Sequence, residues 1–155
     1  MQEELYHLNF IKELLFFVIL LWVSHQDWKQ KSITQRSLWL TGILGIGVSL
    51  VWKRSLVQIL LSSGIGLALL LLSKYTNGGI GEGDGWFFTV SGLYISWQDN
   101  LQLFLSGLLL CFGVCLIVFG RSVLQKQTQK ITLPFLPFLL PAGIEMIRDY
   151  ARLLQ

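Results

Sequence analysis

Charged side chains are scarce in this chain. Only 14% of its 155 residues are Asp, Glu, Lys or Arg, where a soluble domain carries roughly a quarter. Hydrophobic residues make up 53%, and the mean hydropathy is +0.59. The apolar excess runs the whole length, which excludes an ordinary soluble domain and points to one integral membrane domain over residues 1–155. Cysteine is nearly missing too. Cys111 and Cys115 stand one helical turn apart in an apolar run, with no histidine beside them. A metal centre needs about four N, S or O ligands, so both read as small packing residues, and neither metal nor cofactor is expected. No Ser/Lys or Cys/His pairing, zinc-binding helix motif or phosphate-binding glycine loop stands out. His25 reads as a loop residue. The net charge of +3 is small, and no nucleic-acid partner is expected. Proline is confined to Pro134, Pro137 and Pro141. Pro134 suits the start of a helix, whereas Pro141, further in, should kink or interrupt one.

What is present is a series of apolar runs. They predict an all-α, polytopic membrane protein of about six spans, near residues 5–23, 37–52, 55–73, 86–97, 101–119 and 133–148. The fourth falls short of the roughly 20 residues a crossing needs; either its first turn starts earlier or the bilayer is locally thin. The chain opens on Glu3 and Glu4, and no small-residue cleavage site follows the first run, so that run reads as a retained span rather than a cleaved leader. Residues 24–36 read as a polar loop, and Asp99-Asn100 as a turn. Gly64 and Gly66 suit close helix contact. Lys12 and Glu13 are placed to pair, and Glu145, Arg148, Asp149 and Arg152 have helix-face ion-pair spacings. Trp22, Trp28, Trp52, Trp86 and Trp97 fall near span ends, as interface anchors do.

The basic residues orient the chain. Lys29, Lys31, Arg36, Lys74, Arg121, Lys126 and Lys130 fall in the loops after the first, third and fifth spans. Lys53, Arg54, Arg148, Arg152 and Lys12 belong to the other side. The excess puts the first set at the cytoplasm and the N-terminus outside.

The stretch that organises the rest is Gly78-Gly79-Ile80-Gly81-Glu82-Gly83-Asp84-Gly85-Trp86, with five glycines around two carboxylates. Clustered glycine lets a backbone approach its neighbours closely. An acid at a membrane rim is costly and usually functional. In the predicted topology Asp27, after the first span, and Asp84, before the fourth, share the cytoplasmic face. Two such carboxylates in hydrogen-bonding reach hold one proton between them. The ionised one takes a proton from water while the protonated one bonds the scissile carbonyl oxygen, so the pair hydrolyses peptides without metal or cofactor. Each acid also has an ordinary reading: Asp27 as loop solvation, Asp84 as a turn former. The direction of Glu82 is open.

Gly81-Glu82-Gly83-Asp84 resembles the GxGD motif of intramembrane aspartyl proteases. Asp27 with Ile33 resembles the Asp-x5-Ile-Pro element of type IV prepilin peptidases, and Leu133-Pro134-Phe135-Leu136-Pro137-Phe138-Leu139 resembles that family's Pro-Phe-x-Pro-Phe-Leu segment. The elements come in the family's order. The resemblance implies a peptidase of the cytoplasmic membrane that cuts the basic leader from pilin-like precursors, on the cytoplasmic side, just before the precursor's hydrophobic N-terminal helix. It implies Asp27 and Asp84 as the catalytic pair, Gly81 and Gly83 shaping the approach, and Pro134 and Pro137 setting the last helix beside them. The family often has Lys where Trp86 stands, Pro at Thr34, and Asn or Asp at Gln35. Many bacterial members carry a cysteine-containing region after the first span, linked to N-methylation; here that loop is short and lacks cysteine, which implies cleavage without methyl transfer. Two other functions fit the residues: a non-catalytic membrane assembly factor that binds pilin-like subunits, favoured by Trp86 and Thr34, and a small proton-coupled transporter, which calls for acids nearer the midplane.

Overall fold

The computed structural model describes residues 2–30, 33–76, 81–124 and 133–152. The elements are α1 (Gln2–Gln30), α2 (Gln35–Val51), α3 (Leu56–Tyr75), α4 (Glu82–Ser91), α5 (Trp97–Leu124) and α6 (Leu140–Arg152), with a 3-10 turn over Leu136–Leu139 leading into α6. The expected all-α architecture is therefore the one observed, and there is no strand among the described residues. Lys31, Gly78, Gly79, Ile80, Lys126 and Lys130 lie outside the described residues.

Among the described residues, three stretches are long and apolar enough to cross a membrane: Asn9–Gln30, Leu56–Tyr75 and Trp97–Ser122, with mean hydropathies of 1.2, 2.1 and 2.6. By contrast the ten residues of α4 rise only about 15 Å, half the hydrocarbon thickness. The outer faces are apolar: Leu50, Leu71 and Leu109 are each more than 70% exposed, as suits contact with acyl chains.

Short as it is, α4 sits at the centre. Its first turn does begin inside the glycine stretch. Phe87 and Phe88 are buried and reach three elements. Phe87 meets Phe16 of α1 (ring centroids 6.4 Å apart), and Phe88 meets Phe104 of α5 (5.3 Å) and Phe135 (6.3 Å). On its other side α4 lies backbone to backbone on α3. A methyl group on Gly66 would run into the Thr89 amide nitrogen, and one on Gly92 into that of Ser63. Gly64, paired with Gly66 in the sequence reading, plays no such part, since nothing lies within 4 Å of a Cβ there.

Hydrogen bonds lock this packing where water is excluded. Ser63 Oγ donates to Thr89 O (2.9 Å) and Ser62 Oγ to Ile95 O (2.8 Å). Asn100, fully buried, donates to Ser62 O (2.8 Å) and Phe88 O (3.1 Å) and accepts from Ser91 Oγ (2.7 Å). The turn expected at Asp99-Asn100 is thus corrected: both residues lie in the first turn of α5, and the chain reverses at residues 92–95. Ser96 caps α5, its Oγ accepting the Asp99 N–H (3.2 Å) and donating to Asp99 Oδ2 (2.7 Å), as a Ser-x-x-acid capping pair does.

Two further boundaries differ from expectation. The loop read over residues 24–36 is mostly helix, because α1 continues to Gln30. Ser24 and Asp27 turn inward and are buried, while His25, Trp28 and Lys29 are exposed. The helix end is tied by Gln26 Nε2 to Thr34 Oγ1 (2.8 Å) and Thr34 Oγ1 to Gln30 Oε1 (3.1 Å). The last helix begins at Leu140 rather than Leu133. Pro134 and Pro137 lack N–H donors and disfavour a helical residue before them, so the chain is bent and then 3-10 through Leu139. Pro141 falls in the first turn of α6, where its missing donor is least costly; the interruption lies just before it.

The α3–α4 contact makes a paired prediction. Gly66→Ala should destabilise the protein by about 1–3 kcal/mol, the usual cost of overpacking. Gly64→Ala should be neutral or stabilising, by up to about 1 kcal/mol of helix propensity. Thermal unfolding in detergent, followed by circular dichroism, separates the two.

Candidate active site

Asp27 lies in the last turn of α1, buried, and Asp84 is the third residue of α4. Both stand at the end of the bundle where α1 and α3 finish and α2 and α4 begin. Their surroundings differ. Asp27 Oδ2 accepts the Leu136 N–H (3.1 Å), and the Phe135 N–H also reaches the carboxylate. Ser24, one turn earlier on the same face, donates its hydroxyl to Leu136 O (3.1 Å). Both polar groups of Leu136 are therefore held by α1. The two donors to Asp27 come from residues between Pro134 and Pro137, so the proline segment supports the acid through backbone N–H groups. Ser24 was not singled out from the sequence; its spacing of three from Asp27 on one helical face was the available signal.

The Asp84 carboxyl folds back over the start of its own helix. A Cβ on Gly81 would stand 2.9 Å from Asp84 Oδ2, and one on Gly83 would stand 3.2 Å from Ile33 Cδ1. Gly81 leaves room for the acid, and Gly83 is where Ile33 packs. The Asp-x5-Ile element and the GxGD element thus touch. Glu82, between them, is exposed, which answers its open direction. Burial, and then the charge of Asp27, push the Asp84 pKa from 3.8 up to about 7. A helix N-terminus would favour the anion; here burial wins. Cys111 of α5 lies within electrostatic reach of Asp84, a neighbour the sequence did not suggest. No group of three or more His, Cys, Asp or Glu is arranged to hold a metal ion among the described residues.

The opposite end holds a second pair of acids, Glu13 and Asp99, that sequence reasoning did not bring together. Each bears on the charge of Arg54, and Glu13 also pairs with Lys12, its Oε1 3.2 Å from Lys12 Nζ. Arg54 donates to Gly92 O (2.8 Å), and Tyr150 Oη to Asp99 Oδ2 (3.4 Å). Lys12 and Arg54 are the cations on this side. At the Asp27 end the charge acting on Asp84 is another negative one. Of the spacings noted in α6, Asp149 and Arg152 meet at 3.5 Å, both about two-thirds exposed, a geometry of little energetic weight.

The model of the type IV leader peptidase family matches residues 14–122. The chain belongs to that family. A search of curated proteins and a search of solved structures each give no match. The family match includes both Asp27 and Asp84 and ends before the proline segment, so the contact of Leu136 with Asp27 is known here from the fold alone. Membership makes the protein a peptidase of the leader-processing kind, and its three long apolar helices fit a membrane enzyme.

The raised Asp84 pKa has a consequence for stability. Between pH 3.8 and about 7 the folded protein holds a proton that the unfolded chain has released, so stability falls as pH rises through that window. The melting temperature should therefore decline from pH 4 to pH 7, and Asp84→Asn should lose part of that decline. Differential scanning fluorimetry across the range tests both.

Proposed function

We propose that the protein is an intramembrane aspartyl endopeptidase that removes the leader of type IV pilin-like precursors at the cytoplasmic face of the cell membrane, with Asp27 and Asp84 as its catalytic pair. The observation that carries this reading is that both acids stand at one end of the bundle, with the charge of Asp27 acting on a partly buried Asp84. Family membership supports leader cleavage. The positive-inside excess supports the cytoplasmic face.

The surroundings divide the labour. The base is assigned to Asp27, whose carboxylate accepts the backbone N–H groups of Leu136 and Phe135. Burial and that carboxylate keep a proton on Asp84 up to about pH 7. Asp27 then takes a proton from water as its oxygen attacks the scissile carbonyl carbon. Asp84 donates its proton to the carbonyl oxygen, giving a neutral diol. When the C–N bond breaks, the amine leaves with the proton held by Asp27, and a diol hydroxyl returns one to Asp84. No metal or cofactor takes part.

Conversion of a pilin-like precursor, read by mobility shift, tests the reading. Asp27→Asn and Asp84→Asn should each slow cleavage by about 100-fold or more, in line with loss of a general acid or base. Asp99→Asn, at the opposite end, should cleave within a few-fold of wild type. Full conversion by either of the first two variants would remove that acid from the mechanism. Binding without any change in precursor mass would favour the assembly-factor alternative. Ser24→Ala loosens Leu136 and should lower kcat with little change in KM, moving the acidic limb of the pH–rate profile upward, and Ser24→Thr should restore it.

A further inference from the structure

An apolar groove of about 230 Å3 runs between α2 and α4. One wall is Leu38, Gly42 and Ile46, at successive intervals of four; the other is Trp86, Val90 and Leu93, at intervals of four and three. The first is a single helix face; the second runs from the face of α4 into the turn that follows it. We propose that this groove seats an apolar helix of the substrate, with the scissile bond just beyond the helix N-terminus at the acid pair. The proposal rests on the peptidase reading and adds to it where the substrate's membrane segment lies.

Four observations lead there. First, the groove begins at the acids. Trp86 is two residues from Asp84, and Gln35, at the same mouth, is two residues from Ile33, which packs on Gly83. Both walls then run away from that end, and the twelve residues from Gln35 to Ile46 rise about 16 Å, three helical turns. Second, the groove faces outward: Trp39 and Ile43 beside it are 68% and 65% exposed. Apart from Gln35 its lining residues are apolar side chains or glycine, so a chain lying in it must satisfy its own backbone hydrogen bonds, which in a bilayer means a helix. Third, the floor is Gly42, whose Cβ would lie 3.8 Å from Val90 Cγ2, and a small residue lets two helices approach closely. Fourth, charge sets the direction. A helix with its N-terminus toward Asp27 and Asp84 puts its positive dipole end against their negative charge.

This placement also gives Trp86 a role. The resembling peptidases often have Lys at that position, whereas here the indole carries the apolar lining up to the mouth. The substrate residue that passes Trp86 is then apolar or aromatic rather than acidic.

The test places a photo-cross-linking residue at Ile43 in the full-length Asp84→Asn protein, with Leu109 of α5, 74% exposed, as the control position. The probe is a synthetic precursor with a basic leader joined to an apolar helix of about 20 residues, in phosphatidylglycerol–phosphatidylethanolamine vesicles. Ile43 should capture the precursor helix at least five-fold more than Leu109 does. Filling the groove with Gly42→Phe should raise the KM of the otherwise wild-type enzyme for this precursor about ten-fold. Gly47→Phe, on the same helix where nothing lies within 4 Å of a Cβ, should stay within two-fold. Capture of lipid only, capture of a second copy of this chain only, or equal capture at both positions overturns the proposal, as does an unchanged KM in Gly42→Phe. If the precursor is captured at Ile43 but wild type cleaves nothing, the groove stands and the peptidase reading falls. If wild type cleaves and Ile43 captures no precursor, the reverse holds.

Discussion

Gly66 and Gly92 let the backbones of α3 and α4 meet without side chains between them. That contact determines how deep α4 lies, and α4 carries Asp84. A helix of ten residues cannot cross a bilayer, so its position comes from its neighbours rather than from the lipid. Buried hydroxyls of α3 hold the carbonyls of Thr89 and Ile95, and Asn100 ties the end of α4 to α3 and α5. These bonds are valuable because an unpaired carbonyl has no water to turn to inside a membrane. The result is a rigid central pin with one end at the acid pair.

The two ends of the bundle each gather carboxylates, in different company. Glu13 and Asp99 sit near Lys12 and Arg54, and the cluster joins α1, the α2–α3 turn and α5. At the other end burial, and then the charge of Asp27, keep a proton on Asp84 up to about pH 7. A proton retained near neutral pH is a cost to folding and a requirement of acid–base hydrolysis.

The proline segment has a second use beyond opening the last helix. Proline denies the chain a regular helix over residues 134–139 and so frees the N–H groups of Phe135 and Leu136, which turn to Asp27. Ser24 closes the arrangement from the other side. The placing of the Asp27 carboxylate thus depends on a segment more than 100 residues away in the chain.

Composition and apolar runs were enough to make the chain an all-α membrane protein, because burial in lipid demands apolar length whatever the packing. The acid, glycine and proline elements were legible as short patterns for a similar reason: the local backbone needs those residue types. Helix ends were less so. Hydropathy ends α1 near Val23, but Ser24 and Asp27 continue it to Gln30, since their polar groups find partners on the last segment and need no loop. Asn100 read as a turn residue and became a buried hub, because a tertiary contact supplied all its bonds. The sequence by itself therefore decided the solvent, the fold class and which residue types carry the chemistry. Only the tertiary structure decided which acids share one end of the bundle and where an apolar groove opens beside them, since those depend on distances between segments that no local pattern encodes.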